Sequence, residues 1–319
     1  MSFCPKLWNE VYIDQIGRVF ACCHGKPEPF GNIYERSLRE IYAGVLANSR
    51  RQQSESGGLS CYKCCTLLDK TLLESSVRRV ASDYNYEDLE ILHVLFGESC
   101  NIACTMCWQD HKDRVQLDYD TLLKNVDLSP FKRILIQGGE PLFLKSARRF
   151  MDFCFSENKK VGLMTNGLLV DDQIAQKIVD GCYEFCVSIN AATKTTHEIV
   201  NVGSKWERVL DNIAKIKIRK HQSGSELEIR GHFTIVNSNI HEIPLFIKTF
   251  EFLGFEKIDF GFDGTVARLL HRFPNVKSQL TRSITKNIVG HPNSQLIDTK
   301  RLRILGLLSP SKLGASCDQ

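Results

Sequence analysis

The sequence predicts an α/β protein: a parallel sheet with helices on its outside, preceded by a small cysteine-rich module. Three observations lead there. From residue 88 onward, segments with strand and helix patterns alternate, as successive βα units do. The 13 cysteines are placed unevenly, ten of them before residue 155 and most of those in tight groups. The 319 residues, 43% hydrophobic and 24% charged, allow one large domain and a small one of ordinary globular composition.

Taken in order, residues 1–75 hold Cys4, Cys22, Cys23, Cys61, Cys64 and Cys65. Val11 to Phe20 reads as a hairpin turning near Gly17. Phe30-Gly31-Asn32-Ile33 reads as a turn, and Ser37 as the N-cap of a helix beginning Leu38-Arg39-Glu40-Ile41-Tyr42. A polar stretch, Arg50 to Ser60, leads to Cys61-Tyr62-Lys63-Cys64, and residues 76–87 read as a polar linker. Strand patterns then cover Leu89–Gly97, Arg133–Gly138, Lys160–Asn166, Tyr183–Asn190, Glu226–Val236 and Lys257–Asp263. Helical patterns fall near 118–126, 145–157, 171–180, 205–220 and 241–253. Residues 266–319 carry no metal motif; Thr299 to Leu308 reads as a helix, and the tail is expected to cap the sheet.

Parallel strands covered on both faces should be apolar throughout, and these are not. Arg230, His232 and Thr234 share a face by period two, as do Asp259 and Asp263, and Cys186 aligns with Ser188. That predicts a polar inner face able to hold substrate. His93 is a further candidate for it, although a single strand histidine is more often a core residue. Cys154, Cys182 and Cys317 read as small fillers or surface thiols.

The chemistry centres on Cys100-Asn101-Ile102-Ala103-Cys104-Thr105-Met106-Cys107, directly after an apolar strand. Three thiolates from one short loop leave a four-iron cube one ligand short, and an open coordination position marks a catalytic metal site. Gly138-Gly139-Glu140-Pro141 follows the next strand, Thr165-Asn166-Gly167 ends the one after, and Ser188 and Asn190 end the fourth. In these residues the chain resembles the radical S-adenosylmethionine (radical SAM) superfamily over about 88–265. The resemblance implies a partial, open (β/α)6 barrel at 88–265, with 266–319 as an extension. It implies that Cys100, Cys104 and Cys107 bind a [4Fe-4S] cluster whose fourth iron is chelated by S-adenosylmethionine (SAM). Gly138, Gly139, Glu140 and Pro141 would approach the SAM amino group, and Ser188 and Asn190 its ribose and carboxylate. Met106 would lie near the adenine, with Ile235 and Val236 as candidates for its other side, although an apolar strand pair is more often simple core. Relatives often carry an arginine after the fourth strand; here the stretch is Ile199-Val200-Asn201-Val202-Gly203, and Arg230 is the substitute considered.

The N-terminal order of cysteine, hairpin, cysteine, Gly-Asn turn, short helix and Cys-x2-Cys resembles the auxiliary SPASM or twitch module, which in relatives usually follows the barrel. The resemblance implies a second [4Fe-4S] cluster on Cys4, Cys22, Cys61 and Cys64, with Cys23 and Cys65 as spares; four thiolates also suit zinc. The implied activity is reductive cleavage of SAM and hydrogen abstraction from a peptide or small-molecule natural-product intermediate, with a flavodoxin- or ferredoxin-type reductant. RNA or nucleotide modification, and a non-catalytic iron–sulfur or zinc protein, are the alternatives. A net charge of +4 is too mild to argue for nucleic acid, although residues 268–303 are rich in Arg and Lys. No apolar run approaches a membrane span and the N-terminus has no export pattern, so a cytoplasmic location without membrane contact is expected.

Overall fold

Alternation of buried and half-buried side chains builds the strands. The computed structural model describes residues 3–23, 28–61, 65 and 80–308. Among these the strands are β1 (Glu10–Ile13), β2 (Arg18–Phe20), β3 (Gly31–Asn32), β4 (Ile91–Leu95), β5 (Ala103–Cys104), β6 (Arg133–Gln137), β7 (Val161–Thr165), β8 (Cys182–Ser188), β9 (Asn201–Val202), β10 (Glu228–Ile235) and β11 (Lys257–Phe262). The six segments predicted as strands beyond residue 88 are β4, β6, β7, β8, β10 and β11. The five predicted helices form as Tyr119–Asn125, Lys145–Ser156, Asp172–Gly181, Trp206–Ser223 and Ile243–Thr249. The fold is α/β with parallel strands, as expected. No helix among the described residues is long and apolar enough to cross a membrane.

Two units make up the chain: Met1–Asn101 with Gln109–Leu163, and Ile102–Trp108 with Met164–Gln319. In the first, the strands run in the order β7, β6, β4, β1, β2, β3. β1 lies parallel against β4, with Val11 opposite Leu92 and Ile13 opposite Val94, and all four are buried on one face. The chain then turns at Gly17 (φ +79°) into antiparallel β2. The cysteine-rich segment therefore extends the sheet from β4 and covers an edge that would otherwise expose unpaired backbone. Ser37 caps the helix Leu38–Tyr42 in a reciprocal capping box with Glu40.

Two polar segments of this unit carry buried residues. The helix Val45–Glu55 runs into the polar stretch Arg50–Ser60, and its Arg51 is fully buried. The Arg51 guanidinium donates to the carbonyls of Leu7 (3.2 Å) and Tyr42 (3.0 Å) and to Asn48 Oδ1 (2.7 Å). It also lies 4.1 Å from the ring centres of both Tyr42 and Tyr84. Donors and aromatic faces together replace the water the cation gives up. Residues 76–87, read as a polar linker, include buried Ala81 and Tyr86, whose ring stands edge-on to Tyr42 and Phe131.

In the second unit β8, β10 and β11 are parallel neighbours. β10 alternates strictly: Ile229, Gly231, Phe233 and Ile235 are buried, while Glu228, Arg230, His232 and Thr234 are half-buried. The buried side packs on Phe246 and Phe260, with ring centres 5.1 and 6.1 Å from Phe233. A Cβ at Gly231 would come 2.8 Å from the Phe255 ring, so this strand position has to be glycine. Each such phenylalanine contributes roughly 1.5–3 kcal/mol by leaving water. β5 and β9 form a separate two-stranded ribbon. In the tail the helices are Gly264–Arg272, Pro274–Val289 and Lys300–Ile304, the last shorter than predicted. One parallel bridge, Ile258 to Ile297, lays the tail along β11.

Arg51→Met keeps the length of the side chain but strands two buried carbonyls and two aromatic faces. It should lower apparent stability by about 2–4 kcal/mol in urea unfolding. Lys132→Met, at the exposed pair with Glu90, should cost less than ~1 kcal/mol.

Candidate functional site

In the first unit the loop after β4 is held by its own polar side chains. Glu98 accepts from Gln15 Nε2 and from the Asp110 N–H, both at 2.9 Å, and buried Ser99 bonds the Asp113 carbonyl. Cys100 donates its N–H to the His111 carbonyl (3.1 Å). The Gly138-Gly139-Glu140-Pro141 turn lies directly against this loop. Gly138 (φ +93°) and Gly139 (φ +50°) both have positive φ, and a Cβ on Gly139 would meet the Ser99 carbonyl oxygen at 2.1 Å. The Gly139 N–H donates to Gln109 Oε1 (3.0 Å), and the Glu140 N–H to the Ser99 carbonyl (3.0 Å). Gln109 and Ser99 have no marked motif, and sequence reading missed them. Glu140 is almost fully buried, and its Oε1 accepts the Leu142 N–H at 3.0 Å. Pro141 is buried beside it.

In the second unit Cys104 pairs with Asn201 in the β5–β9 ribbon, and the Thr105 N–H donates to the Val200 carbonyl. Asn201 Oδ1 lies 3.4 Å from Cys104 Sγ. The strand predicted to run to Asn190 stops short of it. The strand ends at Ser188, and Asn190 takes φ +55°, which breaks the pleat. Its side chain is used structurally: Oδ1 accepts the Thr234 N–H (2.8 Å) and Nδ2 donates to Asn201 (2.9 Å). Met106 is half-buried, and Val236 is buried after β10, its N–H held by Asn239 Oδ1 (2.7 Å).

The polar face of β8, β10 and β11 forms in register. Arg230 lies opposite Cys186 and Lys257, and His232 opposite Ser188 and Asp259. Arg230 is bound by Glu228 (2.6 Å), Glu184 (2.7 Å) and Asp259 (3.5 Å). The reading of Arg230 as partner to a ligand carboxylate is therefore corrected: three carboxylates of its own face already surround it. It also lies near the start of β10, whereas ligands of open α/β sheets gather at the carboxyl ends of strands. His232 Nδ1 lies 2.5 Å from Asp259, and Nε2 lies 3.1 Å from Thr234 Oγ1. Burial works against the charge on Asp259, but His232 and Arg230 hold its carboxyl below the usual range. Cys186 is buried, and burial pushes its thiol well up. His93, in the first unit, is half-buried with Nε2 3.3 Å from Glu10, and burial lowers its pKa.

Among the N-terminal cysteines, Cys4 is buried and its N–H donates to Ser54 Oγ (2.8 Å). Burial pushes the Cys4 thiol up to about 11, and Cys65 and Cys61 lie close enough to add to the shift. Cys22 and Cys23 act on Lys6: burial works against its charge, but Glu10 and then these two thiols hold its pKa above the usual value. Cys64 and Cys317 lie outside the described residues. Cys154 and Cys182 are buried, as small fillers are. No three His, Cys, Asp or Glu side chains among the described residues gather around a single-ion position.

The donor chemistry fits iron–sulfur clusters. Cys100 in the first unit and Cys104 in the second are half-buried, and Cys107 in the second is exposed; all three are thiols within eight residues of sequence. The family model of the radical SAM superfamily matches residues 94–227, and that of the iron–sulfur cluster-binding domain SPASM matches residues 4–65. A probable GTP 3′,8-cyclase of Methanocaldococcus jannaschii is 21% identical over 248 residues, covering 72% of this chain and 80% of that protein. A tungsten-containing aldehyde ferredoxin oxidoreductase cofactor-modifying protein of Pyrococcus furiosus is 26% identical over 142 residues, 41% of this chain and 38% of that protein. Among solved structures, Streptococcus suis SuiB bound to precursor peptide SuiA is similar with a TM-score of 0.46 and 14% identity, covering 86% of this chain and 68% of that one. The domains present are those of [4Fe-4S] clusters and SAM.

Gly139→Ala places a methyl group on a backbone oxygen at positive φ, so SAM affinity measured anaerobically should fall at least ~10-fold. Gly224→Ala is the control: it also has positive φ, but nothing lies within 4 Å of its Cβ position, and affinity should not change.

Proposed function

Because the chain belongs to the radical SAM superfamily and carries a SPASM domain ahead of the radical SAM domain, we propose that it is an enzyme that cleaves SAM reductively and abstracts hydrogen from a peptide or natural-product intermediate. Cys100, Cys104 and Cys107 would hold the cluster that binds SAM. When bound, that cluster supplies the electron that splits the sulfonium into methionine and a 5′-deoxyadenosyl radical. By the family resemblance, Gly138 and Gly139 would let backbone groups approach SAM, Ser188 would serve its ribose and carboxylate, and Met106 and Val236 would serve its adenine. Cys4, Cys22 and Cys61, with Cys64 or Cys65, would hold the second cluster, for electron transfer or substrate handling. A flavodoxin- or ferredoxin-type protein would reduce them.

The basic side chains of residues 268–303 lie mostly exposed on the tail helices, as a solvated face does.

Anaerobically reconstituted protein with dithionite and SAM should form 5′-deoxyadenosine. Replacing Cys100, Cys104 and Cys107 together by alanine should abolish the product and remove about four irons. Product formation surviving the triple replacement would sink the proposal. Incubation with extract of the source cells in heavy water, followed by mass analysis, should label a peptide-sized or neutral compound; a labelled nucleotide would favour the other substrate class.

A further inference from the structure

The loop carrying Cys104 is fixed by buried amides, and their hydrogen bonds decide which end of Asn201 meets the sulfur. An amide's orientation must be assigned from its partners. Asn190 Oδ1 accepts the Thr234 N–H, so Nδ2 is the end of Asn190 that donates to Asn201 Oδ1. Asn201 Nδ2 donates in turn to the Ile189 carbonyl at 3.0 Å. Turning Asn201 over would set nitrogen against nitrogen at one end and oxygen against oxygen at the other. His197 completes the set. Its Nδ1 carries the proton given to the Ile189 carbonyl (2.7 Å), and Nε2 accepts from Ser204 (2.7 Å). Burial lowers the His197 pKa, which keeps it neutral. Asn190, His197, Asn201 and Ser204 are all almost fully buried.

We propose that Asn201 is a positioning residue that holds the oxygen end of its amide dipole against the Cys104 sulfur, and so keeps the cluster ligated there at a low reduction potential. The inference rests on the cluster reading above. Hydrogen bonds to ligating sulfurs are among the determinants of cluster potential, and a donor there stabilises the added electron. A fixed carbonyl oxygen at the same place acts in the opposite sense. A low potential is what donation to a sulfonium requires. Asn201 also stands in the stretch after the fourth predicted strand, Ile199 to Gly203, which has no arginine.

The test is a redox titration of the anaerobically reconstituted full chain, read by electron paramagnetic resonance as the reduced-cluster signal that changes on adding SAM, with iron measured in parallel. Asn201→Ser removes the oxygen. Asn190→Gly frees the amide to turn while keeping a residue suited to positive φ. Each should raise the potential by at least ~59 mV, a tenfold shift in the reduced-to-oxidised ratio of a one-electron couple. Asn201→Asp should lower it. Unchanged potentials in all three variants with iron retained would overturn the inference. Loss of iron from all three would do so as well, since Asn201 would then only support the loop. A wild-type protein with no signal responding to SAM would overturn the cluster reading, and this inference with it.

Discussion

A thiolate-bearing loop cannot be held by apolar packing alone, because its backbone N–H and carbonyl groups must be satisfied while its sulfur atoms stay available. This chain meets that constraint with short polar side chains aimed at backbone. In the first unit Glu98, Ser99 and Gln109 bind the loop after β4 and the glycine turn beside it. In the second, Asn190, Asn201 and Asn239 take up backbone groups after β8 and β10, and Glu242 accepts the N–H groups of Ala192 and Thr193. Removing any one of these would leave a buried group unpaired, so the loops have little freedom to drift from one geometry.

The N-terminal module solves a different problem. A short cysteine-rich segment has too little apolar surface to form its own core. It borrows one: β1 joins the sheet at β4, and Arg51 fills the space between two tyrosine rings while satisfying carbonyls from separate parts of the module. Cys4 is anchored to the same helix through Ser54. Attachment to the sheet and support of the cysteines therefore share one set of residues.

The polar face of β8, β10 and β11 is closed electrostatically before any ligand arrives. Arg230 and Lys257 are paired with neighbouring carboxylates, and His232 is held between Asp259 and Thr234 on its two nitrogens. Gly261 contributes by omission, since a Cβ there would press on His232 Nε2 at 3.1 Å.

Strand and helix order, the cysteine loop and the glycine turn were all legible in the chain, because each depends on local periodicity or spacing. The six strands and five helices fall where their patterns put them, and the two family matches cover the segments whose cysteines drew attention. Three things were not legible. Pairing of β1 with β4 joins residues some eighty positions apart, and no local pattern encodes a partner. Arg51 looks like any surface arginine until two tyrosines close over it. Asn190 was expected within a strand and Arg230 as the substitute for an arginine that relatives carry, but positive φ breaks the pleat at one and three nearby carboxylates surround the other. Composition and spacing determine which chemical groups the chain brings; only the folded arrangement decides which remain free to act, because buried polar groups bind each other before they bind anything else.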